Sequence, residues 1–534
     1  MNPKQFNPSA FIRIPAENHP SRICLSYRKT SFTYETINRR SNRLAHALKR
    51  LGIEVGTRVA TLQYNCNQSF ELIVAMWKAG IVMVPLNTRD SAQQNIAILQ
   101  DSGASALVFG DEFTDQALEI KRSLPQVTHF LRHGGQVDTN EPWLDYETLL
   151  EAAPDHEPDL DMEEDTLCRI SYTSGTTGRP RGVLMTYRNR IAQITNVFMN
   201  ADRLISKDEV FLHVAPLTHA AGYYAIPFYL KGARHVILDK FDTTALLETI
   251  ERERVTCTLL VPTMIIMLME DPYVREADLS SLERIFYGTA PMPLDKLKSA
   301  LKHFGPIMRQ NYGLTESIQP LACLTPEEHV VEEDDASAQR LRSTGKRALG
   351  TEIRIVDEDD RDVKAGQVGE ILLRSPHISI GYHNMPEETA STYRGGWLHT
   401  GDLGRFDRDG YLYIVDRKKD MIISGGFNIY SREVEMSLDS HPAVLESAVI
   451  GLPDEKWGEI CTAFVVTREE AQQPDPQDLV EHCVAKGLPK YKAPKKLAFL
   501  KSLPKNENNK IIKKNLRGMV LDTNSDLDVV EIGR

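Results

Sequence analysis

A chain of 534 residues is too long for a single hydrophobic core, so at least two domains are expected. With 41% hydrophobic and 26% charged residues it has the make-up of an ordinary globular protein, and a formal net charge of -11 argues against nucleic acid as its main partner. No run approaches the roughly 20 apolar residues of a membrane helix, and residues 1–20 lack a secretory apolar core; the seven scattered cysteines without a Cys-x-x-Cys pair point to reduced thiols in a cytoplasmic protein, not to a zinc site.

Ile37, Leu44, Ala47, Leu48 and Leu51 recur at helical spacing. Strands are then expected at 59–62, 81–85 and 104–109, with helices at 69–79 and 91–100 between them. The polar, acidic stretch 132–165 reads as a surface excursion before a strand at 166–172, a Gly-rich turn and a helix at 183–200. The alternation resumes with strands at 210–214, 257–261, 284–287 and 307–311 and helices at 244–253, 262–269 and 294–303. Such alternation predicts largely parallel, doubly wound sheets. Residues 350–405 are richer in strand patterns. Beyond 416–420, helices at 431–438 and 476–483 and strands at 445–450 and 462–466 make an α+β unit of about a hundred residues. The expected fold class is therefore α/β: a large N-terminal domain of two doubly wound sheets plus a β-rich subdomain, with a small α+β C-terminal domain.

The stretch 172–182 (YTSGTTGRPRG) concentrates three glycines and the hydroxyls of Thr173, Ser174, Thr176 and Thr177, followed by Arg179 and Arg181. Gly175, Gly178 and Gly182 allow a tight backbone whose N–H groups converge on one place, and the arginines can pair with phosphate oxygens. The spacing is not that of a Walker loop. Residues 312–316 (YGLTE) end a strand and offer an aromatic ring for a base, a hydroxyl for phosphate and a carboxylate for a hard cation. Residues 287–291 (YGTAP) sit at another strand end, where open sheets gather their ligand sites. Residues 400–402 (TGD) supply a carboxylate suited to ribose hydroxyls, with Arg417 further on. Between 486 and 517 ten lysines and one arginine face the single acid Glu507, a landing place for a polyanionic small molecule.

Taken together and in this order, these motifs resemble the adenylate-forming superfamily of acyl- and aryl-CoA synthetases, amino-acid adenylation domains and beetle luciferases, over roughly residues 32–517. The resemblance implies ATP, Mg²⁺ and CoA as reactants and metal, and an enzyme that turns a carboxylic acid into an acyl-adenylate and then a thioester. Thr173, Ser174, Gly175, Thr176, Thr177, Gly178 and Arg181 would clasp the β- and γ-phosphates, with Thr173 also near the metal. Gly288, Thr289, Ala290, Asn311, Tyr312 and Gly313 would enclose the adenine, Thr315 would touch the α-phosphate, and Glu316 would hold Mg²⁺. Asp402 and Arg417 would fix the ribose, and His219 would flank the carboxylate. Lys510 would stand between carboxylate and α-phosphate. The domains implied are 1–415 for adenylation, a hinge at 416–420 centred on Lys419, and a mobile 421–534 that carries Lys510. After rotation, Gly425 and Gly426 would line the path of the thiol.

Three positions depart from the superfamily pattern: Arg181 stands where lysine is common, Asn509 where glycine is common, and Ser431 where proline is common. The segments expected to shape the acid pocket, 213–223, 261–267 and 288–292, are rich in Ala, Val, Met, Ile and Tyr, which suits a fatty or aryl acid. Ala220 stands where amino-acid adenylation domains place an aspartate, and no Arg or Lys lies in these segments, which argues against amino acids and dicarboxylates. CoA is the expected acceptor because no carrier domain follows Lys510; a separate carrier protein is the alternative, and a non-catalytic nucleotide- or acyl-binding regulator a second one. A monomer or homodimer is expected.

Overall fold

The helix Tyr34–Arg50 forms where the spacing predicts it, with Ile37, Leu44, Ala47 and Leu48 buried and Thr33 accepting from the Thr36 N–H as its cap. It is one element of a computed structural model that describes residues 7–135, 142–174, 180–330, 335–468, 472–505, 511–521 and 529–532. The chain divides into two compact units, Met1–Glu352 with Arg374–Leu398, and Ile353–Leu373 with His399–Arg534.

In the first unit, the described residues form a nine-stranded and an eight-stranded sheet. The core of the nine-stranded sheet is parallel, running Met308–Tyr312, Arg284–Gly288, Cys257–Leu260, Val210–His213, Arg234–Ile237 and Ile23–Tyr27. Its edges are antiparallel. The other sheet is parallel from Leu167–Ser174 through Val82–Pro85, Arg58–Leu62, Ala106–Gly110 and His129–His133 to Leu144–Asp145, and antiparallel where Pro180–Thr186 and Gly381–Tyr382 join it. The second unit holds a four-stranded sheet (Glu352–Val356, Gly369–Arg374, Leu398–Phe406, Leu412–Arg417) and a six-stranded one built around Val444–Asp454 and Gly458–Thr467. This is the mixed α/β class the alternation predicts. The β-rich strands group with the C-terminal residues.

Three segments differ from expectation. The helix expected at 183–200 begins only at Tyr187; Pro180–Thr186 is a strand that returns antiparallel to Leu167–Ser174. Val183 and Met185 face the core while Leu184 is half-buried, and Thr186 and Asn189 then form a capping box that starts the helix. The Gly-rich stretch therefore joins two strands and does not open a helix. The excursion 132–165 contains buried Tyr146 and Leu150, and Tyr146 donates to Glu71 at 3.1 Å. The helix Ala220–Leu230 has no signature in the pattern, because it is apolar all round and buried, with Pro227 inside it.

Candidate active site

The hairpin Leu167–Ser174/Pro180–Thr186 sets Thr173 opposite Arg181. Thr173 Oγ1 is buried and has no hydrogen-bond partner, an unsatisfied hydroxyl at the foot of the Gly-rich stretch. Gly175, Thr176, Thr177, Gly178 and Arg179 lie outside the described residues, as does the Ser174 side chain. At the base, the Tyr172 hydroxyl donates to Asp101 at 2.6 Å.

Arg181 leaves the hairpin toward the segment that follows Gly381. Its Nη1 donates to Glu388 Oε1 at 2.6 Å and its guanidinium lies 5.0 Å from the centre of the Tyr382 ring. Burial opposes the charge on Arg181, but the Glu388 bond, with Tyr382 and Glu316 nearby, outweighs it and holds the guanidinium above its ordinary pKa. The Tyr382 hydroxyl in turn donates to Glu316 Oε1 at 2.9 Å, and burial raises the tyrosine pKa. Glu316 sits in a loop fastened at both sides, since its carbonyl accepts from Ser379 N at 2.8 Å and Leu314 N donates to Ser317 O at 2.9 Å. Thr173, Arg181, Tyr382 and Glu316 thus form one connected chain of contacts.

The second cluster lies at the ends of two parallel strands. Gly288 pairs with Asn311, and a Cβ on Gly288 would stand 2.3 Å from the Asn311 carbonyl oxygen, so only glycine fits. Thr289 follows with φ 67, a left-handed conformation that costs a non-glycine residue about 1 kcal/mol or more. Thr289 and Ala290 are exposed, while Tyr312 and Asn311 are buried. Asn311 Nδ2 donates to the Tyr224 hydroxyl at 2.7 Å, and its Oδ1 has no partner. Gly313 and Thr315 are half-buried in the same loop as Glu316.

His219 is exposed, one residue before the helix Ala220–Leu230. Tyr223, inside a segment expected to shape the acid pocket, has Arg169 at 4.8 Å and Arg190 at 4.7 Å over its ring. Two cations therefore border a segment that contains none. Burial pulls Arg190 down to about 10, partly offset by Tyr223.

In the second unit, Asp402 and Arg417 are direct cross-strand neighbours, with Arg417 Nε 3.1 Å from Asp402 Oδ1. Glu370 Oε1 accepts from Gly401 N at 3.2 Å and its Oε2 from Lys418 Nζ at 2.9 Å, which fixes the turn before Asp402 and the start of the Lys418–Asp420 turn. Gly425, with φ 58, and Gly426 turn the hairpin Ile422–Ser424/Phe427–Ile429. A Cβ on Gly425 would meet Trp457 Cε3 at 2.7 Å. Trp457 has Lys495 at 3.9 Å and Lys456 at 4.9 Å over its ring. Lys510 and Asn509 lie outside the described residues, but the strand bridge Lys505–Ile511 closes the base from which they depart.

Sequence reasoning missed Tyr382, Glu388, Tyr224, Glu370 and Trp457. Each reaches its partner from far along the chain, so no local motif announces it. Among the described residues no group of three or more His, Cys, Asp or Glu side chains could hold a metal by itself, and no helix is long and apolar enough to cross a membrane.

The AMP-binding enzyme family matches residues 12–383, and the AMP-binding enzyme C-terminal domain matches residues 433–510. The chain is 34% identical over 498 residues to the medium/long-chain-fatty-acid–CoA ligase FadD8 of Mycobacterium tuberculosis, covering 91% of this chain and 86% of that one. It is 37% identical over 506 residues to the feruloyl-CoA synthase of an Amycolatopsis species, covering 94% and 96%. Its structure superposes on the o-succinylbenzoate CoA synthetase MenE of Bacillus subtilis in complex with the acyl-adenylate OSB-AMP, with a TM-score of 0.82, 30% identity and coverage of 96% and 98%. The site clusters and these likenesses have one reading in common: the chain belongs to the AMP-binding enzyme family, within the adenylate-forming superfamily.

Proposed function

We propose that the protein joins a fatty or aryl carboxylic acid to ATP, forming an acyl-adenylate and pyrophosphate, and then passes the acyl group to the thiol of CoA, giving acyl-CoA and AMP. The observation that carries this reading is the unpartnered Thr173 hydroxyl beneath the Gly-rich stretch, linked through Arg181 and Tyr382 to the Glu316 carboxylate. A buried donor without a partner at that place awaits an oxygen ligand.

Thr289 and Ala290 are exposed just after buried Gly288, whose strand neighbour Asn311 leads into Tyr312, and this strip suits the flat face of adenine. The Asp402 carboxylate accepts from ribose hydroxyls while Arg417 beside it supplies positive charge. Lys510 opposes the charge that builds as the substrate carboxylate nears the α-phosphate. The acyl-adenylate is a mixed anhydride that water destroys, so in this reading residues 421–534 turn about the hinge at 416–420, at Lys419, and Gly425 and Gly426 then line the path of the thiol without exposing the intermediate.

Mg²⁺ suits the donor set. Glu316 and Thr173 are hard oxygen donors, and a single carboxylate with substrate phosphates is the usual way this ion is held. When bound, it neutralises phosphate charge. Lys456 and Lys495, which lie over the Trp457 ring next to Gly425, concentrate positive charge there, chemistry that fits the phosphates of CoA. A cytoplasmic location goes with the same reading.

The test is a screen of fatty and aryl acids with ATP and Mg²⁺, read as carboxylate-dependent ATP–pyrophosphate exchange and then as AMP release with CoA or a carrier protein. CoA-dependent AMP release is expected. Exclusive loading of a carrier would overturn the acceptor, and no exchange with any acid would overturn the reading.

A further inference from the structure

Ser431 is fully buried at the first position of the helix Ser431–Asp439 and lies between two charged groups. Lys513 Nζ stands 2.6 Å from its Oγ. An ammonium can only donate, so the hydroxyl oxygen is the acceptor there. The hydroxyl hydrogen is then directed to Asp416, whose two carboxylate oxygens are 2.8 and 3.1 Å away. The direction of this relay follows from the donor inventory alone. Burial raises the Asp416 pKa, with the Lys513 cation opposing that shift.

Both ends of the relay lead to residues of the candidate site. Asp416 Oδ1 also accepts from Arg417 N at 2.7 Å, and Arg417 Nε is 3.1 Å from Asp402. Lys513 opens the helix Lys513–Leu521 and pairs with Glu435 at 2.7 Å. Just before it, Ile512 N donates to Pro504 O at 2.8 Å, and Lys505 bridges to Ile511 while its ammonium pairs with Glu446 at 2.7 Å. Ile511 directly follows Lys510 in the chain. One hydroxyl therefore joins the Asp402–Arg417 pair to the segment from which Lys510 departs.

We propose that Ser431 is a positioning residue for acyl-adenylate formation: its hydroxyl, held between Asp416 and Lys513, fixes the base of the Lys510 segment relative to the Asp402–Arg417 pair. This rests on the roles of Lys510, Asp402 and Arg417 in the proposed function. Neither alanine nor proline at 431 could donate to Asp416 or accept from Lys513. Proline is the sharper probe, because the first helical position tolerates it and Tyr430 before it is already extended at φ -86, ψ 115.

The test compares Ser431→Ala and Ser431→Pro with the parent enzyme in two half-reactions. In ATP–pyrophosphate exchange, kcat is expected to fall about 5- to 20-fold with the KM of the acid unchanged, and thiolysis of supplied acyl-adenylate by CoA is expected to stay within about twofold. An exchange kcat within about twofold of the parent, or a parallel fall of both half-reactions, overturns the assignment. Hydrogen–deuterium exchange of residues 511–521 supplies a readout that needs no turnover. Faster exchange there in both variants supports the relay, and parental rates overturn it. A parent enzyme without exchange activity toward any acid would instead sink the functional reading, and the deuterium result would still decide whether Ser431 holds this segment.

Discussion

The Tyr382 hydroxyl donates to Glu316 Oε1 at 2.9 Å, so one oxygen of the carboxylate expected to face Mg²⁺ is already oriented by the protein. Second-layer donors of this kind fix a ligand's direction. Tyr382→Phe removes the bond and keeps the ring beneath Arg181. Losing a hydrogen bond to a charged group costs about 1.5–3 kcal/mol, so exchange activity at limiting Mg²⁺ should fall about tenfold or more and recover in part at high Mg²⁺. A Mg²⁺ titration of the initial rate in both proteins checks this.

Arg181 is engaged twice, with Glu388 at 2.6 Å and the Tyr382 ring at 5.0 Å. Lysine at this position keeps the charge and loses the planar fork. Arg181→Lys should raise the KM for ATP several-fold and leave the ranking of acid substrates unaltered. A large change in acid preference would show that this hairpin shapes the acid pocket.

Lys510→Ala should abolish acyl-adenylate formation while nucleotide still binds. Pyrophosphate release by the variant and its affinity for a fluorescent ATP analogue measure the two separately. Near-parental pyrophosphate release would move the catalytic role to a neighbour such as Lys505, Lys513 or Lys514.

Gly288→Ala would place a methyl 2.3 Å from the Asn311 carbonyl oxygen. The two strands cannot move apart without breaking their ladder, so a loss of about 2 kcal/mol or more is expected. Thermal unfolding should show a lower midpoint, and ATP affinity should weaken with it.

Buried His329 sets a pH limit. Its Nδ1 stands 2.7 Å from Thr325 O, an acceptor, so the proton is on Nδ1 and Nε2 accepts from Tyr287 at 2.8 Å. Burial lowers its pKa from 6.5 to about 4. Between those values the unfolded chain binds the proton and the folded one does not, so stability rises with pH across this window and is lost as pH falls. The shift corresponds to about 3 kcal/mol at most, fully present above pH 6.5. Urea midpoints measured across this range should show a steeper acid loss in the parent than in His329→Gln.

The parts of the site that could be read from the sequence are those whose chemistry lies within a few consecutive residues. Asp402 and Arg417 come from two short motifs, and an antiparallel pair of strands brings them side by side. Glu316 was legible as a carboxylate, but its partner Tyr382 was not, because that contact depends on a strand joining the far edge of the sheet. The strand Pro180–Thr186 was hidden by its neighbour: the consecutive apolar residues Val183, Leu184 and Met185 form too short a run for periodicity to separate strand from helix, and the capping pair Thr186–Asn189 decides where the helix starts. The all-apolar helix Ala220–Leu230 offers no polar face for periodicity to detect.

The chain enters its second unit at Ile353, leaves it after Leu373 and returns at His399. During synthesis from the N-terminus, the strand Gly369–Arg374 therefore emerges before the partner strand Leu398–Phe406 exists. A fragment starting after residue 420 would lack the whole four-stranded sheet, including Asp416, which receives the Ser431 hydroxyl. Cutting the gene at the apparent hinge would separate Ser431 from the Asp416 carboxylate, and a stop codon after residue 398 would leave two strands with an exposed, unpaired edge open to aggregation.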